Sequence, residues 1–98
     1  MTLPIVFRRQ ARGEFDEAAA WYEQHRAGLG AKFIDAVQDV LNQAARNPNR
    51  YALVFRDLRE GLVRRFPYCV YYRDEGDRII VLAVFHASRD PSTWQSRD

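Results

Sequence analysis

The spacing of apolar residues changes character twice along the chain. Leu3 to Arg8 (LPIVFR) is a short β-rich run, and Pro4 near its start suits an edge strand, because proline has no N–H to give to a ladder. From Ala11 the period becomes helical. Phe15, Ala18, Ala19 and Tyr22 fall at i, i+3, i+4 and i+7, with Glu14, Asp16, Glu17 and Glu23 around them. This predicts an amphipathic helix whose acids gather toward its N-terminus, where the helix dipole favours them. It should end before Gly28, and Gly28 and Gly30 should bracket a tight turn. Phe33, Ile34, Val37, Val40, Leu41 and Ala44 then predict a second helix, which Asn47-Pro48-Asn49 stops. Two helices with so short a connection are expected to lie antiparallel as a hairpin.

The second half alternates as strands. Tyr51 to Arg56 (YALVFR) is the first, and Asp57 to Gly61 reads as a polar turn. Leu62 to Arg73 (LVRRFPYCVYYR) reads as one long strand, interrupted at Pro67 by a bulge or an edge. Asp74 to Asp77 is a hairpin loop. Arg78 to His86 (RIIVLAVFH) is apolar on both faces and should be a central buried strand. Ala87 to Asp98 is a polar tail containing Pro91 and Trp94. The order is β-α-α-β-β-β. It implies an α+β fold, with an N-terminal helical hairpin packed on one face of a mostly antiparallel sheet. The other face, and the groove beside the hairpin, are expected to be open to a partner.

Composition narrows the class. With 98 residues the chain is read as a single domain, 1–98, and a hydrophobic share of 47% argues for a packed core. The longest apolar run, Ile79 to Phe85, is too short to span a membrane. No signal peptide is visible, so a cytoplasmic location is expected. Cys69 is the single cysteine, which excludes an internal disulfide and a cysteine-rich zinc site. No cofactor and no metal are expected. Of 15 basic residues only Lys32 is lysine, the rest being arginine, and the net charge is +2. Each half of the chain carries one excess positive charge, so there is no basic tail of the kind a nucleic-acid binder shows. A GC-rich genome explains most of the arginines; a few are candidates for gripping carboxylates or phosphates.

Several motifs carry a family resemblance. The first helix holds Glu17-Ala18-x-x-Trp21-Tyr22-Glu23, followed by Gly28-Leu29-Gly30 and Phe33, then Pro48 and Tyr51. Arg64-Arg65-Phe66-Pro67-Tyr68-x-Val70-x-Tyr72 comes next, and then Leu82-Ala83-Val84-Phe85-His86-x-x-Arg89-x-Pro91-x-x-Trp94. In this order and at this length they resemble the RelE/ParE superfamily of toxins from type II toxin–antitoxin systems, and most of all its ParE-type members. The resemblance implies a RelE/ParE-like fold and a cognate antitoxin as partner. For ParE-like members it implies growth arrest by poisoning of DNA gyrase. For RelE-like members it implies cleavage of mRNA on the ribosome.

The residues bear unequally on these two activities. RNA cleavage needs a base, an acid and cations against the phosphorane charge. Where several RelE-like nucleases have a Glu and an Arg on the penultimate strand, this chain has Pro67-Tyr68-Cys69. A nuclease set drawn from what remains would be His86 as acid or base, Arg89 and Arg65 as phosphate ligands, and Trp94 to stack on a base, with Glu60 a distant helper. Each also has a structural reading: His86 as a hydrogen-bonded strand end, Arg89 as a cap of the tail, Trp94 as a lid on the core, Cys69 as packing. As contacts for the target or the antitoxin we single out Trp21, Arg65, Tyr71, Arg89 and Trp94. Strand alternation would put Arg64 on the core-directed face with Phe66, Tyr68, Val70 and Tyr72, and Arg65 on the open face with Cys69 and Tyr71. Trp21 points to the helix flank. It is either an antitoxin anchor or a wedge between the two helices.

Overall fold

Strand β1 (Ile5–Phe7) leads into helix α1 (Arg9–His25) and helix α2 (Leu29–Arg46). A single 3-10 turn (Pro48–Arg50) follows, then β2 (Ala52–Phe55), β3 (Leu58–Leu62), β4 (Tyr68–Asp74), β5 (Ile79–His86) and a short helix α3 (Ser92–Gln95). The computed structural model describes residues 2–97, so Asp98, the last residue of the predicted tail, lies outside them. The strands form one sheet in the order β1-β5-β4-β3-β2, with β1 parallel to β5 and the other pairs antiparallel. The helical hairpin packs on one face, as expected. β1 is an edge strand, with the Pro4 carbonyl accepting from Ile79 N–H at 2.9 Å.

The helix ends depart from expectation. α1 begins at Arg9, so no acid lies in its first turn, and Glu14, Asp16 and Glu17 fall beyond it. Gly30 lies inside α2 rather than in the turn. A Cβ at Gly30 would sit 2.7 Å from the Ala19 carbonyl oxygen, so the missing side chain is what lets the two helices approach. The carboxylate of Glu23 accepts from Gly28 N–H at 3.0 Å and from Gly30 N–H at 3.0 Å. It thereby caps the start of α2 from across the hairpin.

The second half has one strand more than the sequence pattern implies. Leu58–Leu62 is a strand, not a polar turn, and the chain turns instead at Arg56-Asp57, where Arg56 has φ 53°. Each polar residue of this strand has a tertiary partner. Arg59 donates to the Tyr51 carbonyl at 2.6 Å and to Asn49 Oδ1 at 3.1 Å, and Glu60 accepts from the Tyr71 hydroxyl at 2.7 Å. Gly61 leaves room for Val40 of α2. The long strand expected over 62–73 is therefore two strands joined by a turn at 63–67. In that turn Arg65 adopts φ 70°, and Arg64 and Arg65 do not alternate across a sheet.

Both faces of the sheet are buried along β4 and β5, while β2 at the edge is largely exposed. Facing the helices, Val70, Val81 and Val84 meet Phe15, Phe33, Val37 and Leu41. On the far face Leu58, Cys69, Tyr71, Ile80, Leu82 and Phe85 pack under the tail, whose Trp94 is 4% exposed. That face is not open. In β5 the pairing shifts by one residue, with Tyr71 opposite Ala83 but Tyr72 opposite Val81. Leu82 is the extra residue, and both it and Ala83 join the far-face cluster. This bulge turns Val84 back toward the helices. Among the described residues no helix is long and apolar enough to cross a membrane.

Candidate functional site

Helical spacing puts Glu14, Glu17, Ala18 and Trp21 on one stripe of α1, next to the stripe that enters the core. Opposite this stripe runs the end of β5 that β1 does not reach, since β1 pairs only with Ile79 to Val81. The two elements enclose a groove of about 480 Å³, which Pro67, Tyr68, His86 and Arg89 also line. Two side chains satisfy the bare strand edge. Glu14 Oε1 accepts from Val84 N–H at 3.1 Å, and Arg97 Nη1 donates to the Leu82 carbonyl at 3.2 Å. Arg97 and Glu14 also pair with each other through two bonds of 3.0 and 2.9 Å.

Trp21 is 53% exposed, stacked on His25 at 3.7 Å and edge-on to Tyr22, so it lies on the flank and is not wedged between the helices. His86 Nδ1 accepts from Ser88 N–H at 3.1 Å and touches Ser88 Oγ at 2.7 Å. That arrangement puts the proton of the neutral ring on Nε2. The imidazole meets the ring of Tyr68 edge-on at 5.2 Å. Arg89 holds its guanidinium 4.3 Å above the Phe85 ring. Burial raises the pKa of the Tyr68 phenol, and Arg89 partly offsets this while Glu14 adds to it.

Of the residues singled out in the sequence, Trp21, His86 and Arg89 come together in this groove. The others do not. Tyr71 is 5% exposed and Trp94 4%; their rings stack at 3.8 Å with a 17° tilt, and neither offers a surface to a partner or to a base. Glu60 is held by the Tyr71 hydroxyl. Burial, then that bond, push the Tyr71 pKa far up. Arg65 is in the turn beside α2, not on the far face with Cys69 and Tyr71. Burial raises the Cys69 thiol pKa, with the Glu60 charge adding to the effect, which fits a packing residue. Sequence reasoning missed Glu14 as the residue that closes the β5 edge. Its position on the Trp21 stripe was legible, but its partner Arg97 lies in the tail, 83 residues away.

The chain matches known proteins along most of its length. Residues 5–91 match the family described as ParE toxin of type II toxin-antitoxin system, parDE. Toxin ParE2 of Mycobacterium tuberculosis, in strains CDC 1551 / Oshkosh and ATCC 25618 / H37Rv, is 38% identical over 64 residues. That stretch is 65% of this chain and spans 58% of the length of those relatives. In fold, the chain is similar to a solved chain of the chromosomal ParDE TA system from P. aeruginosa, with a TM-score of 0.75 at 15% identity over 89% of this chain and 98% of that one. With a family match over nearly its whole described length and a fold to agree, the chain belongs to the ParE toxin family of type II toxin–antitoxin systems.

Proposed function

We propose that this protein is the toxin of a ParDE-type pair, acting in the cytoplasm, arresting growth by poisoning DNA gyrase, and neutralised by a cognate antitoxin. The observation that carries the gyrase reading is the state of the groove's ionisable groups. Its floor at Pro67-Tyr68 has neither acid nor cation, Glu14 is committed to Arg97 and Val84, and His86 Nδ1 is committed to Ser88. For proton transfer to a ribose and charge relief at a phosphorane the groove then leaves only Glu17, His86 Nε2 and Arg89, the last of them set over the Phe85 ring. Inhibition by protein–protein contact needs none of them. The antitoxin reading is supported by the same groove, since a flexible segment that folds on binding fits a cleft between a helix and a bare strand end, with exposed Trp21 as its anchor. Trp21→Ala should weaken co-purification with the antitoxin while leaving the free fold intact.

A second reading, a ribosome-dependent mRNA endoribonuclease, is favoured by one observation: His86 and Arg89 line the same groove as Tyr68. One pair of assays separates the two. The chain is added to purified gyrase, where supercoiling and cleaved DNA are followed, and to a translation reaction, where mRNA cleavage is followed. Gyrase inhibition that survives His86→Ala supports the first reading. Cleavage that is lost in His86→Ala or Arg89→Ala replaces it with the second.

A further inference from the structure

A second cavity, of about 740 Å³, opens on the other side of Pro67, between the start of α2 and the β3–β4 turn. Its floor is made by half-buried Tyr22, Leu29 and Phe66, and its rim carries exposed Lys32, Arg64 and Arg65. Many cations of this chain have partners. Arg12, Arg73, Arg78 and Arg97 pair with carboxylates, and Arg50, Arg56 and Arg89 lie over rings. Among the described residues Lys32, Arg64 and Arg65 have neither kind of partner, as is also true of Arg8, Arg9, Arg26 and Arg46, but these three line one cavity. Asp35 is the one carboxylate lining the cavity, against three cations. Arg65 moreover holds φ 70°, a conformation that disfavours an L side chain and that glycine would relieve. A strained residue kept among like charges points to an anionic occupant.

We propose that this cavity docks an acidic peptide segment of a partner protein, its carboxylates held by Arg64, Arg65 and Lys32 and an apolar side chain seated on Tyr22 and Phe66. The aromatic geometry favours a peptide over a nucleic acid. Phe66 meets Tyr22 and Phe33 edge-on at 4.9 and 5.2 Å, so these rings stand crosswise and form a notched apolar floor, which suits a branched side chain better than a flat base. Asp35 on the rim repels a phosphate chain but accepts a peptide N–H. The inference is independent of whether gyrase or the ribosome is the target.

The test is a titration of the full-length chain with the blocked peptide EFELE, followed by amide chemical shifts. Shifts should concentrate in residues 29–36 and 64–67 and weaken with salt. Arg64→Ala combined with Arg65→Gly should reduce affinity by about tenfold or more, because it removes charge-assisted bonds. Arg65→Gly alone should raise the melting temperature while lowering peptide affinity, a split that a purely structural role for Arg65 does not produce. The proposal is overturned if the shifts map elsewhere or if the double variant binds the peptide equally well. It is equally overturned if the uncharged peptide QFQLQ binds as tightly, or if a thymidine oligonucleotide binds the same residues at least as tightly as EFELE.

Discussion

Glu14 and Arg97 form the most deeply buried ion pair among those described, at 17% and 16% exposure. Glu14→Gln keeps the shape and removes the charge. The amide oxygen can take the place of Oε1 and accept from Val84 and from Arg97 Nη1, but its NH2 then faces Arg97 Nη2–H, and one of the four bonds at this corner is lost outright. A surface ion pair is worth about 0–1 kcal/mol, whereas breaking a buried pair costs about 3–5 kcal/mol. With one sixth of each side chain exposed, the expected loss lies between these limits, at about 2–3 kcal/mol. For a domain of this size that corresponds to a fall of roughly 10–20 °C in melting temperature. Arg97→Met should cost a similar amount, because it leaves Glu14 charged and the Leu82 carbonyl bare. The double variant should cost clearly less than the sum, with a coupling of about 1–2 kcal/mol. The assay is urea and thermal unfolding followed by circular dichroism on all four members of the cycle. A shift of less than about 3 °C in Glu14→Gln, or strict additivity in the cycle, would refute the view that this pair closes the β5 edge.

Three further outcomes follow from the packing. Trp94→Ala should destabilise by about 3–5 kcal/mol, measured by urea unfolding, because it strips the far face of the ring stacked on Tyr71. Two glycine substitutions should move in opposite directions. Gly30→Ala forces a Cβ to within 2.7 Å of the Ala19 carbonyl oxygen and should lose about 1–3 kcal/mol, which outweighs the gain in helix propensity of about 1 kcal/mol. Gly13→Ala, where a Cβ meets open space, should gain about 0.5–1 kcal/mol. Stability should also fall with pH above about 10. Burial raises the Tyr71 pKa far up and the Tyr72 pKa to about 12, above the value near 10 in the unfolded chain. The folded state then binds more protons than the unfolded one. Its stability is complete below pH 10 and declines by about 1.4 kcal/mol per pH unit for each tyrosine as the pH rises further. Phenolate absorbance that appears before the circular dichroism signal is lost, and that accounts for Tyr71 and Tyr72, would contradict this.

Periodicity was a good guide wherever burial followed it, and a poor one wherever polar residues had distant partners. Both helices and the interior strand β5 were legible because their apolar residues face a core at regular intervals. β3 was not, since Leu58-Arg59-Glu60-Gly61-Leu62 has the composition of a turn. It becomes a strand because Arg59 reaches the Tyr51 carbonyl, Glu60 reaches Tyr71 and Gly61 admits Val40. No local window contains those contacts. The bulge at Leu82 was invisible for the same reason, since β5 is apolar at every position through Phe85 and its pattern hides which residues face which side. Of the residues singled out for the candidate site, Trp21, His86 and Arg89 line one groove. Exposure was misjudged for Tyr71 and Trp94, because nothing local announces that the tail folds back over the far face of the sheet.

That fold-back changes how variants in the tail must be read. Arg89 shields Phe85, Trp94 roofs Tyr71, and Arg97 closes the edge of β5 through Glu14. Each of these residues has a stabilising contact that is independent of any target. A fold of this size has little stability to spare, so losing about 3 kcal/mol at Trp94 or Arg97 can abolish activity through unfolding alone. Loss of growth arrest in such a variant is then no evidence of a contact with gyrase, RNA or antitoxin. His86 and Trp21 are the informative positions. His86 bonds locally to Ser88 and Trp21 is half exposed on α1, so each can be replaced with little expected change in stability. A variant at either site that keeps its melting temperature and loses one activity separates function from fold in a way that no tail variant does.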